Sequence, residues 1–154
     1  MDTRRSELVT TIKAATSDLD SEAAVLQRAA ELIDAFSADF NWTGFYMLRD
    51  GVLEVGPYIG PETEHTKIEL NSGICGAAAS QKQSVVVEDV RSDPRFLACS
   101  LTTRSEIVVP LMDGEVCLGE IDIDSDTPGY FTDDDREMLE AVAQVVVAKL
   151  KTFR

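Results

Sequence analysis

The groups able to do chemistry in this chain are three cysteines, one histidine and two sets of alternating acids. Cys75 stands in Gly73-Ile74-Cys75-Gly76, which reads as a glycine-led entry into a short helix, and Cys99 stands in a loop after Pro94. A helix N-terminus lowers a thiol's pKa and favours thiolate, whereas nearby acids act in the opposite sense. Two thiols on flexible loops facing one pocket would point to redox chemistry. Zinc is the competing use, with Cys75, Cys99, Cys117 and His65 as nominal ligands, but their spacing matches no zinc pattern. His65 follows the polar run Pro61-Glu62-Thr63-Glu64 and reads as a loop residue rather than a base.

The acids gain meaning from strand alternation. If residues 115–125 form an unbroken strand, Val116, Leu118, Glu120, Asp122 and Asp124 share one face, and Cys117, Gly119, Ile121 and Ile123 share the other. The isoleucine face should meet the core, which takes Cys117 with it. The face with Asp122 and Asp124 should meet a pocket, where two carboxylates attract a cation such as an amino acid's ammonium. Solvent-exposed acids are the plainer alternative. On a neighbouring strand Glu106 shares a face with Val108 and Pro110 and can join the acidic pair. A carboxyl among carboxylates keeps its proton to higher pH and can then donate it. Its plainer role is as a partner for Arg104 or as a turn residue. Trp42, Gly44 and Tyr46 share a face of the first strand, so two aromatics over a glycine either wall a small apolar or sulfur-bearing group or pack a core.

These residues need a scaffold, and the periodicities outline one. Residues 20–36 carry apolar side chains at helical spacing, with Asp20 or Ser21 as N-cap, and residues 3–16 show a weaker helical pattern. Strand-like stretches cover residues 40–48, 52–59, 67–70, 84–88, 105–111 and 115–124, with Gly51 and Asp113-Gly114 as hairpin turns. Residues 91–99 show no clear period and read as an ordered loop. Thr132 caps a last helix whose first turn holds Asp133, Asp134 and Asp135, and whose apolar stripe is Met138, Leu139, Val142, Val145, Val146 and Leu150. The expected class is α+β. A central antiparallel sheet of about six strands packs its N- and C-terminal helices on one face and holds a loop-covered ligand pocket on the other.

Composition narrows the partners. Asp and Glu number 28 against 14 Lys and Arg, a formal net charge of −14. That balance disfavours nucleic acid and anionic membranes, both of which require basic patches. No apolar run approaches the roughly 20 residues of a membrane span, and the start of the chain lacks the apolar core of a signal peptide. A cytoplasmic location is expected, and an odd cysteine count there argues against a structural disulfide framework.

Five segments resemble a known family. They are Asn41-Trp42-Thr43-Gly44-Phe45-Tyr46, Gly56-Pro57-Tyr58, Gly73-Ile74-Cys75-Gly76, Ser105-Glu106-Ile107-Val108-Val109-Pro110 and Gly119-Glu120-Ile121-Asp122-Ile123-Asp124-Ser125. Together they resemble the free methionine-(R)-sulfoxide reductases, which have the GAF fold, over about residues 10–150. The resemblance implies one GAF domain over residues 1–154. It makes Cys99 the nucleophile on the sulfoxide sulfur and Glu106 the acid that binds and protonates the sulfoxide oxygen. Asp122 and Asp124 then hold the substrate ammonium, and Trp42 and Tyr46 surround the S-methyl group. It further implies that Cys99 is left as a sulfenic acid, that a second thiol forms a disulfide with it, and that thioredoxin reduces that disulfide, with no bound cofactor or metal. Many relatives place a further cysteine where this chain has His65, so Cys75 or an external thiol must resolve Cys99. The rival readings are a non-catalytic GAF module that binds a small ligand or senses redox state, and a dimerisation module, since the terminal helices allow a homodimer.

Overall fold

Each long helix begins where a side chain can satisfy its free amides. In the computed structural model, which describes residues 1–96 and 102–154, Asp2 accepts from the Arg5 amide at the start of α1 (Thr3–Thr16). Ser21, one of the two caps expected, accepts from Ala24 at the start of α2 (Glu22–Asp34). Thr132 and Asp135 form a reciprocal capping box on α4 (Asp133–Leu150). Asp135 also accepts from Arg5 Nη2 at 2.7 Å, which ties α1 to the N-terminal turn of α4.

The strands are β1 (Trp42–Arg49), β2 (Val52–Ile59), β3 (Lys67–Glu69), β4 (Val85–Val87), β5 (Ser105–Asp113) and β6 (Val116–Ser125). They form one antiparallel sheet in the order β3-β2-β1-β6-β5-β4. Asp50 and Gly51 turn β1 into β2, both with positive φ, a conformation in which glycine carries no Cβ penalty. The α+β class, the strand count and the placement of the helices agree with the sequence expectation.

The two sheet faces carry different work. One packs α1, α2 and α4 through a core that includes Ile12, Leu26, Ile33, Phe45, Ile107, Val109, Ile121, Ile123, Met138 and Val142. The other is covered by α3 (Gly73–Gln81) and carries a second cluster with Trp42, Tyr46, Ile74, Cys75 and Val108. Residues 91–99 were expected to be an ordered loop. Val90–Ser92 form a 3₁₀ turn capped by Asp89, and the chain is described as far as Phe96. Cys99 therefore lies outside the described residues. Among those described, no helix is long and apolar enough to cross a membrane.

β6 departs from unbroken alternation. Gly119 pairs with Leu111 and Cys117 with Met112, so Leu118 has no cross-strand partner. An extra residue in one strand turns every side chain before it to the opposite face. Leu118 thus joins the helix-side core and Cys117 the α3 side, the reverse of the facing expected for both. Gly119 takes this position because a Cβ there would collide with the Tyr46 carbonyl and the Met47 side chain.

Candidate functional site

Three strands meet under α3 in three ranks. In the first, Trp42, Asp124 and Glu106 lie side by side across β1, β6 and β5. The second holds Gly44, Asp122 and Val108, and the third Tyr46, Glu120 and Pro110. Sequence alternation grouped these residues on one face within each strand and assigned the Asp122 and Asp124 face to a pocket; the covering of that face by α3 is what the structure adds. Glu106 is 5% exposed, Glu120 0%, Asp122 4% and Asp124 4%. The plainer alternative of solvated surface acids is therefore excluded. Arg104, the other partner considered for Glu106, instead pairs with Asp89 at 2.9 Å.

The aromatic wall stands beside the acids. Trp42 stacks on Tyr46 at a centroid distance of 6.1 Å and on Tyr58 at 5.0 Å. Both predicted side chains are anchored at their polar ends: Trp42 Nε1 donates to the Pro61 carbonyl at 3.1 Å and the Tyr46 hydroxyl to the His65 carbonyl at 2.8 Å. Gly44 must be glycine, since a Cβ there would lie 2.7 Å from the Trp42 ring. The place of its missing side chain is taken by the Trp42 ring and the Tyr58 Cβ, which pack against the Gly44 backbone. Trp42 and Asp124 line a cavity of about 200 Å³, with Asn41, Thr63 and Thr103 at its rim. This is smaller than the ~300 Å³ at which drug-sized pockets begin, and suits a small metabolite. Tyr58 was quoted in a motif but given no role, and Glu120 was seen only as a member of a face. Stacking on Trp42 and complete burial add them to the site.

Cys75 enters from above. It is the third residue of α3, buried and free, rather than part of a flexible loop. Its Sγ lies 3.3 Å from Asp122 Oδ2. Any help from the helix N-terminus is outweighed: burial first, then the charges of Asp122, Glu120 and Glu106, push its thiol well above the usual range. Cys117 shares this side of the sheet, but its thiol turns to the Gly119 carbonyl at 3.3 Å. His65 is a half-buried loop residue, as expected, and serves Tyr46 through its backbone.

Four carboxyl groups in a dry cluster cannot all ionise. Burial, then the charges of Asp122 and Asp124, hold Glu106 well above the usual carboxyl range. Burial and then Asp122 do the same for Glu120 and Asp124. Asp122 is also raised by burial, but hydrogen bonds from Glu106 and Cys75 favour its charged form. The cluster therefore carries fewer charges than carboxyl groups, and the hydrogen bonds from Glu106 and Cys75 favour ionisation at Asp122 over its neighbours. Among the described residues, buried oxygens of Glu120, Asp122 and Asp124 find no hydrogen-bond partner. Such orphaned acceptors cost about 1–3 kcal/mol each in a fold that does not use them, and an incoming donor such as an ammonium would satisfy them. A protonated acid, an anionic acid, a thiol and an aromatic wall can bind a small cation and hand a proton to a basic oxygen beside it.

Known proteins resemble this chain in sequence and in fold. Residues 20–150 match the model of the GAF domain. The chain is 37% identical over 123 residues to the free methionine-R-sulfoxide reductase of Escherichia coli, covering 79% of this chain and 74% of that one. It is 38% identical over 130 residues to the enzyme of that name from Saccharomyces cerevisiae, covering 79% and 71%. The crystal structure of the Neisseria meningitidis free methionine-R-sulfoxide reductase in complex with its substrate superposes with a TM-score of 0.93 at 31% identity, covering 100% of this chain and 93% of that one. By sequence and by fold, the chain belongs to the free methionine-(R)-sulfoxide reductases, a family built on the GAF domain.

Proposed function

We propose that this chain reduces free L-methionine (R)-S-oxide to L-methionine, working as one GAF domain. The observation that carries the reading is the buried Glu106, Asp122 and Asp124 cluster, walled by Trp42 and Tyr46, with Cys75 3.3 Å from Asp122. The substrate ammonium pairs with Asp122 and Asp124 and satisfies their open oxygens. A methionine residue within a peptide lacks that charge, so the free amino acid is selected. In this reading the S-methyl group lies against Trp42 and Tyr46, and backbone amides around residues 73–75 receive the carboxylate.

Cys99 attacks the sulfoxide sulfur while Glu106 gives its proton to the oxygen. Methionine departs, and the oxygen stays on Cys99 as a sulfenic acid. Cys75 then attacks the Cys99 sulfur. Its thiol proton passes by way of Asp122 to the sulfenic oxygen, which leaves as water, and a disulfide remains. A thioredoxin dithiol reduces that disulfide by exchange. The sum is methionine sulfoxide plus a dithiol giving methionine, a disulfide and water. Thiols supply the electrons, so the cycle needs no resident cofactor. In this reading the protein works in the cytoplasm, where thioredoxin keeps thiols reduced.

The test supplies purified protein with each epimer of methionine sulfoxide and dithiothreitol, then with thioredoxin, its reductase and NADPH. The (R) epimer is expected to be consumed in both. No consumption with dithiothreitol would refute the enzyme reading and favour a ligand-binding GAF module. Consumption with dithiothreitol alone would keep the reductase and remove thioredoxin.

A further inference from the structure

The sulfur of Cys75 and one carboxylate oxygen each from Glu106 and Asp122 lie within 4.8 Å of one another, on three buried side chains. This is not the zinc set suggested by the cysteine and histidine count. A thiol and two carboxylates make a mixed donor set of the kind that tetrahedral zinc accepts, with Zn–S of about 2.3 Å and Zn–O of about 2.0–2.2 Å. Such bonds put donors roughly 3.3–3.7 Å apart, and the Cys75 to Asp122 separation is already 3.3 Å. A second observation points to a cation independently of that spacing. Asp122 Oδ1 and Asp124 Oδ1 are buried in the same cluster and have no hydrogen-bond partner among the described residues. Asp124 also lines the cleft beside Trp42.

We propose that the reduced, substrate-free chain binds a single divalent cation of borderline softness, with Zn²⁺ as the type case, through Cys75, Glu106 and Asp122. The thiol and Glu106 release their protons to solvent as the metal binds. A thiolate and two carboxylates outweigh the metal's two positive charges by one. The thiolate selects zinc or cadmium over magnesium and calcium. Metal and ammonium compete for Asp122, so bound zinc excludes an amino-acid ligand. A disulfide at Cys75 removes the sulfur donor, so only the reduced chain holds the metal. The proposal rests on the geometry of the cluster, and its readouts are independent of reductase activity.

Zinc K-edge X-ray absorption on the reduced wild-type protein loaded with one equivalent of Zn²⁺ gives the ligand set. One sulfur and otherwise oxygen ligands are expected, and an all-oxygen shell would overturn the proposal. Equilibrium dialysis against Zn²⁺ should show at least about a tenfold loss of affinity in Cys75→Ser and in Asp122→Asn. Cys117→Ser should match wild type. L-methionine should weaken zinc binding, and millimolar Mg²⁺ should leave it unchanged. Sulfur ligation retained in Cys75→Ser, or displacement of zinc by Mg²⁺, would overturn the proposal. If Cys75→Ser fails to fold, absorption on Cys117→Ser and dialysis of Asp122→Asn decide the question.

Discussion

Asp124→Asn should stabilise the empty protein and cripple it as a binder. Asp124 is 4% exposed, one of its oxygens has no partner among the described residues, and burial followed by the Asp122 charge raises its pKa well above the usual carboxyl value. A group whose folded pKa exceeds its unfolded value of about 3.9 contributes no penalty below that pH. As pH rises, ionisation in the folded state costs about 1.4 kcal/mol for each unit of the shift, until the folded pKa is passed. An amide of the same shape avoids this cost and still accepts a hydrogen bond from Glu106. At pH 8 the variant should gain about 1–3 kcal/mol, the range seen when buried charge is replaced by neutral groups. For a chain of this length that is a rise in Tm of roughly 3–10 °C. The gain should vanish near pH 4. Binding moves the other way: losing a buried charged partner costs about 2–5 kcal/mol, so KM for methionine (R)-S-oxide should rise by about 30-fold or more. Thermal melts from pH 4 to 8 and initial rates give both numbers. A variant less stable than wild type at pH 8, with an unchanged KM, would refute the reasoning.

The same signs apply to the wild-type cluster. Glu106, Glu120 and Asp124 all have raised pKa values in the fold, so the empty protein should lose stability as pH climbs above about 4–5, and denaturant titrations should show saturating L-methionine reversing most of that loss. Cys75→Ser should release one equivalent of methionine per chain in a single turnover and then stall with thioredoxin as reductant; sustained turnover would assign resolution to another thiol. In Gly44→Ala the new Cβ meets the Trp42 ring and Tyr58, so stability should fall by about 1–3 kcal/mol, and the emission of the single tryptophan, Trp42, should shift.

Alternation made most of the site legible before any coordinates. Asp122, Asp124, Glu106, Trp42 and Tyr46 occupy strand interiors, where a period of two decides the face and hydrophobic neighbours such as Ile121, Ile123 and Phe45 mark the core side. The same rule failed at Cys117, because the count of residues from Ile121 back to Cys117 passes through an unpaired Leu118. Gly119 was the available signal, since a lone glycine in a strand often marks a bulge. Cys75 was placed at a helix start correctly, but its depth depends on α3 lying across the sheet, a long-range contact that local pattern does not encode. Glu120 looked like another acid in an acidic protein. Its burial between Tyr46 and Pro110 in the third rank separates it from the exposed acids of the chain.

The account turns on a buried acidic cluster that reads a free ammonium and positions the sulfoxide for reduction. The most direct measurement compares the rate of reduction of free L-methionine (R)-S-oxide with that of its N-acetyl derivative, under dithiothreitol, at equal concentration. The two share the sulfoxide and the methyl group and differ in the charge offered to Asp122 and Asp124. The account predicts rapid reduction of the free amino acid and a kcat/KM lower by about 100-fold or more for the acetylated one, the loss of roughly 3 kcal/mol of ion pairing. Equal rates on both would contradict it.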